Sequence, residues 1–203
     1  IISMLVGALY NIVDQIFIGQ GVGINGNAAT NVAFPLTTIC VSISLFLGLG
    51  GASSYSLLLG RGEREKASTI IGNTISLAFI FSIILTIIVN LFVKNIMYMF
   101  GSTEEVLSYA IKYSTITSTG FLPFIFSNMM SHIIRADGSP RYSMMSVLSG
   151  AIANTILDPI FIFYLKMGIS GAALATIIGQ FISFALTFKY IFKMKNITLS
   201  KKS

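Results

Sequence analysis

Two carboxylates stand where carboxylates are costly. Asp14 and Asp158 each lie inside a long apolar stretch, and neither has an Arg or Lys within one helical turn. A charged side chain in hydrocarbon costs roughly 2.5–3.5 kcal/mol on insertion scales, so an acid held there is by default tied to function. It would serve as a proton carrier or as a ligand for a small cation. The groups around them fit that chemistry. Gly7, Asn11 and Asp14 follow i, i+4, i+7 spacing and share one helical face. Asn154 and Asp158 are four apart, and Pro159, which has no amide hydrogen, frees the Thr155 carbonyl. Tyr113, Thr117 and Asn128 fall near one stripe of another segment, and Thr176, Gln180, Ser183 and Thr187 on a further one. Carboxylate, amide, hydroxyl and free carbonyl oxygens are what a hard cation or a proton relay needs. The competing reading is that the amides and hydroxyls only tie helices together, at about 0.6 kcal/mol per interhelical hydrogen bond.

The elements that must hold these groups follow from the spacing of charge. Of 203 residues, 54% are hydrophobic and 10% charged, against about a quarter charged in a soluble domain. Residues 15–60, 67–93, 113–134 and 167–188 carry no charge, and 142–165 is broken only by Asp158. About 20 apolar residues cross a bilayer. A soluble globule, a disordered chain and a disulfide scaffold are therefore excluded. The turn residues between Gly19 and Asn27 split the longest run. Six helices result, at about 1–18, 28–59, 67–93, 106–133, 142–165 and 171–193. They form an all-α, polytopic membrane bundle that is one unit over 1–203, with Pro35 the expected bend of the second helix.

Ten of the 13 basic residues lie at or just past the ends of the second, fourth and sixth helices. The positive-inside rule places that side, and both termini, in the cytoplasm of a multi-pass plasma-membrane protein. Tyr98, Tyr109, Tyr142, Tyr164 and Tyr190 are the expected interface anchors in a chain without Trp. The basic residues form no groove-sized patch, so nucleic acid is not an expected partner; the lipid bilayer is. Cys40 reads as a small buried hydrophobe and His132 as a solvated interfacial residue. Gly19-Gln20-Gly21-Val22-Gly23 follows a membrane helix rather than a strand and reads as a turn. With one His and one Cys, no catalytic or zinc-type spacing exists, so the chain is not expected to be an enzyme or to carry a cofactor. The chain opens on Ile1 within an apolar segment and stops at Ser203 just past a hydrophobic one. It is therefore expected to be a piece of a longer protein, without a signal peptide.

Several segments, in order along the whole chain, resemble those of the multidrug and toxin extrusion (MATE) transporters. Asn11-Ile12-Val13-Asp14-Gln15-Ile16-Phe17-Ile18-Gly19 is similar to the family's first-helix signature, and Leu59-Gly60-Arg61-Gly62 with Glu65-Lys66-Ala67 to its first cytoplasmic loop. Arg135-Ala136-Asp137-Gly138-Ser139-Pro140-Arg141 resembles the second loop. Asn154-Thr155-Ile156-Leu157-Asp158-Pro159 and Gly171-Ala172-Ala173-Leu174-Ala175-Thr176 resemble the fifth and sixth helices. The resemblance implies the N-terminal six-helix lobe of a twelve-helix, two-lobe antiporter, with the C-terminal lobe absent. It further implies a cation site at Asp14, Asp158, Asn154, Asn128, Thr176 and Tyr113, with Na⁺ a candidate at Asp14, Asp158 and Asn154.

The expected function is export of small organic, mostly cationic drugs driven by H⁺ or Na⁺. Asn11, Gln180 and Pro35 are the candidate substrate-cavity residues. Two alternatives compete. A lipid-linked saccharide flippase of the same architecture should carry basic residues inside its spans, and none is present away from span ends. A non-transporting membrane scaffold should tolerate apolar replacement of both acids.

Overall fold

The computed structural model describes the backbone of residues 2–194 and the side chains of 12–194. Among the described residues seven α-helices run in sequence: α1 (Ile2–Gly21), α2 (Ile24–Gly60), α3 (Arg64–Met99), α4 (Glu104–Ser118), α5 (Phe121–Ala136), α6 (Pro140–Pro159) and α7 (Ile169–Ile191). A π-turn, Ile160–Tyr164, continues α6. No strand occurs among the described residues.

Apolar length makes the long helices. α2, α3, α6 with its π-turn, and α7 are each long and apolar enough to cross a membrane, so this is a multi-pass membrane protein. The turn cluster after α1 is tighter than its composition suggests. Only Val22 and Gly23 leave the helix, and Gly23 makes the reversal with φ 90°, a conformation that favours glycine.

One expectation about helix continuity is corrected. The span at 106–133 is two helices, broken at Thr119–Gly120. Pro123 is the cause: it brings no N–H for the Thr119 carbonyl, and its ring crowds that carbonyl. The chain closes the gap with short bonds, Thr119 N–H to the Ile116 carbonyl (3.1 Å) and Gly120 N–H to the Thr117 carbonyl (2.9 Å). Thr86 of α3 donates to the buried Ser118 carbonyl (3.1 Å). Pro35, in contrast, does not interrupt α2, which continues helical to Gly60. Membrane helices tolerate such a proline when neighbouring groups replace the missing bond. The non-helical dihedrals fall instead in α3, at Phe92 (φ −118°, ψ 17°).

α5 is the centre of the bundle. Ile125, Phe126, Met129, Met130, Ile133 and Ile134 are all essentially inaccessible, and Phe126 packs edge-on against Phe184 of α7 at 4.8 Å. α3 is peripheral, presenting Ile80, Phe81, Ile84, Ile88 and Leu91 outward, as a lipid-facing helix should. α6 and α7 touch backbone to backbone: a Cβ on Gly179 would lie 2.6 Å from the Gly150 carbonyl oxygen. Small residues permit this approach, and Ser183 seals it by donating to the Ser146 carbonyl at 3.1 Å.

At the end of the bundle that carries Arg61, Arg64, Arg135 and Arg141, a buried carboxylate ties three helices together. Asp137, between α5 and α6, is 1% exposed. Tyr55 of α2 donates to its Oδ1 (2.5 Å) and Tyr190 of α7 to its Oδ2 (2.8 Å). Tyr142 packs against Tyr190 with the rings tilted and their centroids 4.9 Å apart, and donates to the Leu186 carbonyl. Of the five tyrosines expected at the interface, Tyr98, Tyr109 and Tyr164 are exposed. Tyr142 and Tyr190 are not anchors but inter-helix ties, because their hydroxyls find acceptors inside the bundle. His132 is half-buried rather than solvated; a Cβ on Gly48 of α2 would meet its ring at 3.0 Å.

Candidate cation site

The acids meet. α1 lies against α6, Asp14 and Asp158 are 8% and 1% exposed, and their carboxyls are close enough to act on one another electrostatically. Each sits on a helix face that local spacing turns inward: Asp14 shares a stripe with Phe17 and Ile18, Asp158 with Asn154. Neither forms an ion pair among the described residues.

Their surroundings are short of donors. Asp14 Oδ1, both oxygens of Asp158 and Asn154 Oδ1 are buried and accept no hydrogen bond among the described residues. Asn154 instead uses its amide N–H₂, donating to Thr176 Oγ1 at 3.3 Å, while Thr176 donates to the Ala172 carbonyl at 3.0 Å. Buried acceptors normally have partners. Here four lack one, two of the groups being acids of like charge. A proton shared by the pair, or a small cation among the oxygens, would satisfy them at once.

Asp14 also forms one wall of a cavity bounded by α1, α2, α4, α5 and α7. Gln15, Thr30, Thr37, Tyr113, Thr117, Thr176 and Gln180 supply its polar lining; Phe34, Phe121, Phe124 and Cys40 supply apolar lining. Water centres have about 80 Å³ available there, a handful of waters at ~10–15 Å³ each. That suits a small cation arriving with part of its hydration. Asp158 and Asn154 stand behind this wall, joined to it through Asp14 and Thr176. Gln15 is held by Thr30, to which it donates at 3.0 Å.

The residues singled out from the sequence thus divide. Asp14, Asp158, Asn154 and Thr176 come together in one cluster, and Tyr113 lines the adjoining cavity. Asn128 stands apart from the lining and donates to the Phe124 carbonyl of its own helix at 2.9 Å. Gln180 lines the same cavity as Asp14, with its Oε1 buried against Gly120. Pro35 lies outside that lining, half-buried in α2. The Asn11 side chain falls outside the described residues, as do Lys195, Lys201 and Lys202. Sequence reasoning missed Gln15 and Thr30. Thr30 lies 16 residues past Asp14, beyond a turn, so no helical spacing connects them.

The structure is thus that of a helical, multi-pass membrane lobe with a buried acid pair beside a partly polar cavity. The MatE family model matches residues 1–160, and the chain belongs to that family. It is 31% identical over 201 residues to the multidrug export protein MepA of Staphylococcus haemolyticus, covering 98% of this chain and 44% of that protein. It is 27% identical over 182 residues to a FAD transporter of Shewanella oneidensis, covering 88% and 40%. A solved multidrug resistance MATE transporter in the outward-facing conformation superposes with a TM-score of 0.92 at 26% identity, covering 99% of this chain and 45% of the other. The chain therefore spans less than half the length of the relatives it matches.

Proposed function

We propose that this chain is the cation-binding lobe of a secondary antiporter that exports small organic, mostly cationic drugs in exchange for H⁺ or Na⁺. The observation that carries the proposal is the pair Asp14–Asp158: two buried carboxyls close enough to act on one another, with no basic partner among the described residues and with orphaned acceptor oxygens around them. The basic end of the bundle is cytoplasmic by the positive-inside rule. A cation enters from the opposite, extracellular side through the cavity beside Asp14 and binds between the acids. Binding shifts the conformational equilibrium because the two acids hold the cation differently in the two states. α1 moves in response, the cavity shared with a second lobe changes shape, and the drug leaves outward.

The family membership supports export over a scaffold, and relatives named as export proteins support a drug as cargo.

The deciding experiment is efflux into everted vesicles from cells expressing the full-length gene, with Na⁺ and pH gradients imposed separately. Asp14→Asn should abolish gradient-driven transport while the protein still reaches the membrane. Undiminished transport by that variant refutes the proposal.

A further inference from the structure

Asp158 is followed at once by Pro159 and then by the π-turn, and that turn is wedged between two other helices. On one side its Phe161 backbone lies against Gly171 of α7, where a Cβ would stand 2.9 Å from the Phe161 carbonyl. On the other side Ile162, 3% exposed, fills the space over Gly21 of α1 that a Cβ would need. Phe163 meets Phe17 of α1 edge to face at 6.1 Å. Asp14, Phe17 and Gly21 are spaced i, i+3, i+7 and lie along one stripe of α1. The α1–α6 seam thus has two rungs, the acid pair and, one turn farther along α6, the Gly21–Ile162 contact.

We infer that Gly21 and Ile162 are positioning residues that transmit the state of the acid pair to the outer end of α1. The inference rests on the proposed coupling at Asp14 and Asp158. Two ionised carboxyls repel; a proton or cation between them draws α6 toward α1. A rigid α-helix would carry that shift straight along its axis. Here Pro159 interrupts the bonding, and the π-turn closes with the Leu165 N–H on the Ile160 carbonyl at 2.9 Å. Such single π-turns are local departures from α geometry that recur at functional sites. With Phe161 pinned against α7, displacement of Asp158 rotates the turn rather than sliding it. Ile162 then presses on, or withdraws from, Gly21. The bare Cα of Gly21 is the seat that lets Ile162 move.

The test uses the full-length transporter. Gly21→Val fills the seat. Its export should fall by about tenfold or more, while its affinity for ²²Na⁺ or protons stays within about twofold of the parent. The cation-induced change in distance between spin labels at Gln20 and Met145 should be lost. Gly21→Val with Ile162→Ala restores the space and should recover both export and the distance change. Export at the parental rate in Gly21→Val overturns the inference. So does a loss of cation affinity matching the loss of export, or a double variant no better than the single one. If Gly21→Val fails to reach the membrane, Ile162→Ala alone decides: the distance change should shrink at unaltered cation affinity, and an unaltered distance change overturns the inference. Unaltered cation affinity in Asp14→Asn is a separate result, and it refutes the underlying reading instead.

Discussion

Asn154 on α6 donates its amide hydrogen to the Thr176 hydroxyl on α7, 3.3 Å away, which leaves the Asn154 carbonyl oxygen buried and without a donor among the described residues. The bond therefore does two things at once: it ties two helices and it points an acceptor into the interior. Thr176→Val keeps the volume and removes the hydroxyl. Cation-dependent transport should weaken by about tenfold, the equivalent of one hydrogen bond at ~1.4 kcal/mol. The measurement is the half-saturating Na⁺ or proton concentration for efflux. Thr176→Ser should restore it, since the hydroxyl is what orients Asn154.

Charge removal at the acid pair should separate function from stability. Asp158→Asn leaves one buried carboxyl instead of two and ends their repulsion, and like charges at close range are unfavourable. Thermal unfolding of the purified variant should therefore occur at the parental temperature or above it, while cation-coupled transport is lost. A lower unfolding temperature would mean that the pair holds the fold together.

The carboxylate at the basic end should behave in the opposite way. Asp137 is satisfied on both oxygens by Tyr55 and Tyr190, and hydrogen bonds to charged groups contribute about 1.5–3 kcal/mol. Tyr55→Phe and Tyr190→Phe should each destabilise the protein by that order. Asp137→Leu should cost more, because it strands two buried hydroxyls. A double-mutant cycle between the two tyrosines should show coupling.

Where α6 and α7 cross, volume is the constraint. Gly150→Val or Gly179→Val would drive a side chain into the opposing backbone. Overpacking of this kind costs at least about 1–3 kcal/mol, and here the rigid partner is main chain. Folded yield in detergent should drop sharply for either variant, with Gly50→Val on the open face of α2 as a neutral control.

The acid pair was legible in the sequence because its signal is local: a charge in an apolar run costs energy wherever that run packs. Asn154 and Thr176 were legible by helical spacing and by resemblance. Asn128 shows where such reasoning stops. Placing it on a stripe with Tyr113 and Thr117 assumes one uninterrupted helix, and the break at Thr119–Gly120 resets the phase. The roles of Asp137 and Tyr190 were hidden for another reason. Residues 55, 137 and 190 meet only in three dimensions, and no spacing along the chain signals that meeting. The Gln15–Thr30 pair is hidden likewise, across the turn at Gly23.

The divided fourth span bears on how the protein is made. At 1.5 Å per residue, α4 and α5 are only about 22 and 24 Å long, each short of the ~30 Å hydrocarbon layer. α4 also carries Glu104, Glu105 and Lys112. Neither half is a persuasive substrate for the insertion machinery by itself, so the pair must partition as one unit across its own interruption. The earlier helix α3, whose Thr86 and Asn90 donate to Ser118, would then act as the template that lets a marginal segment enter lipid.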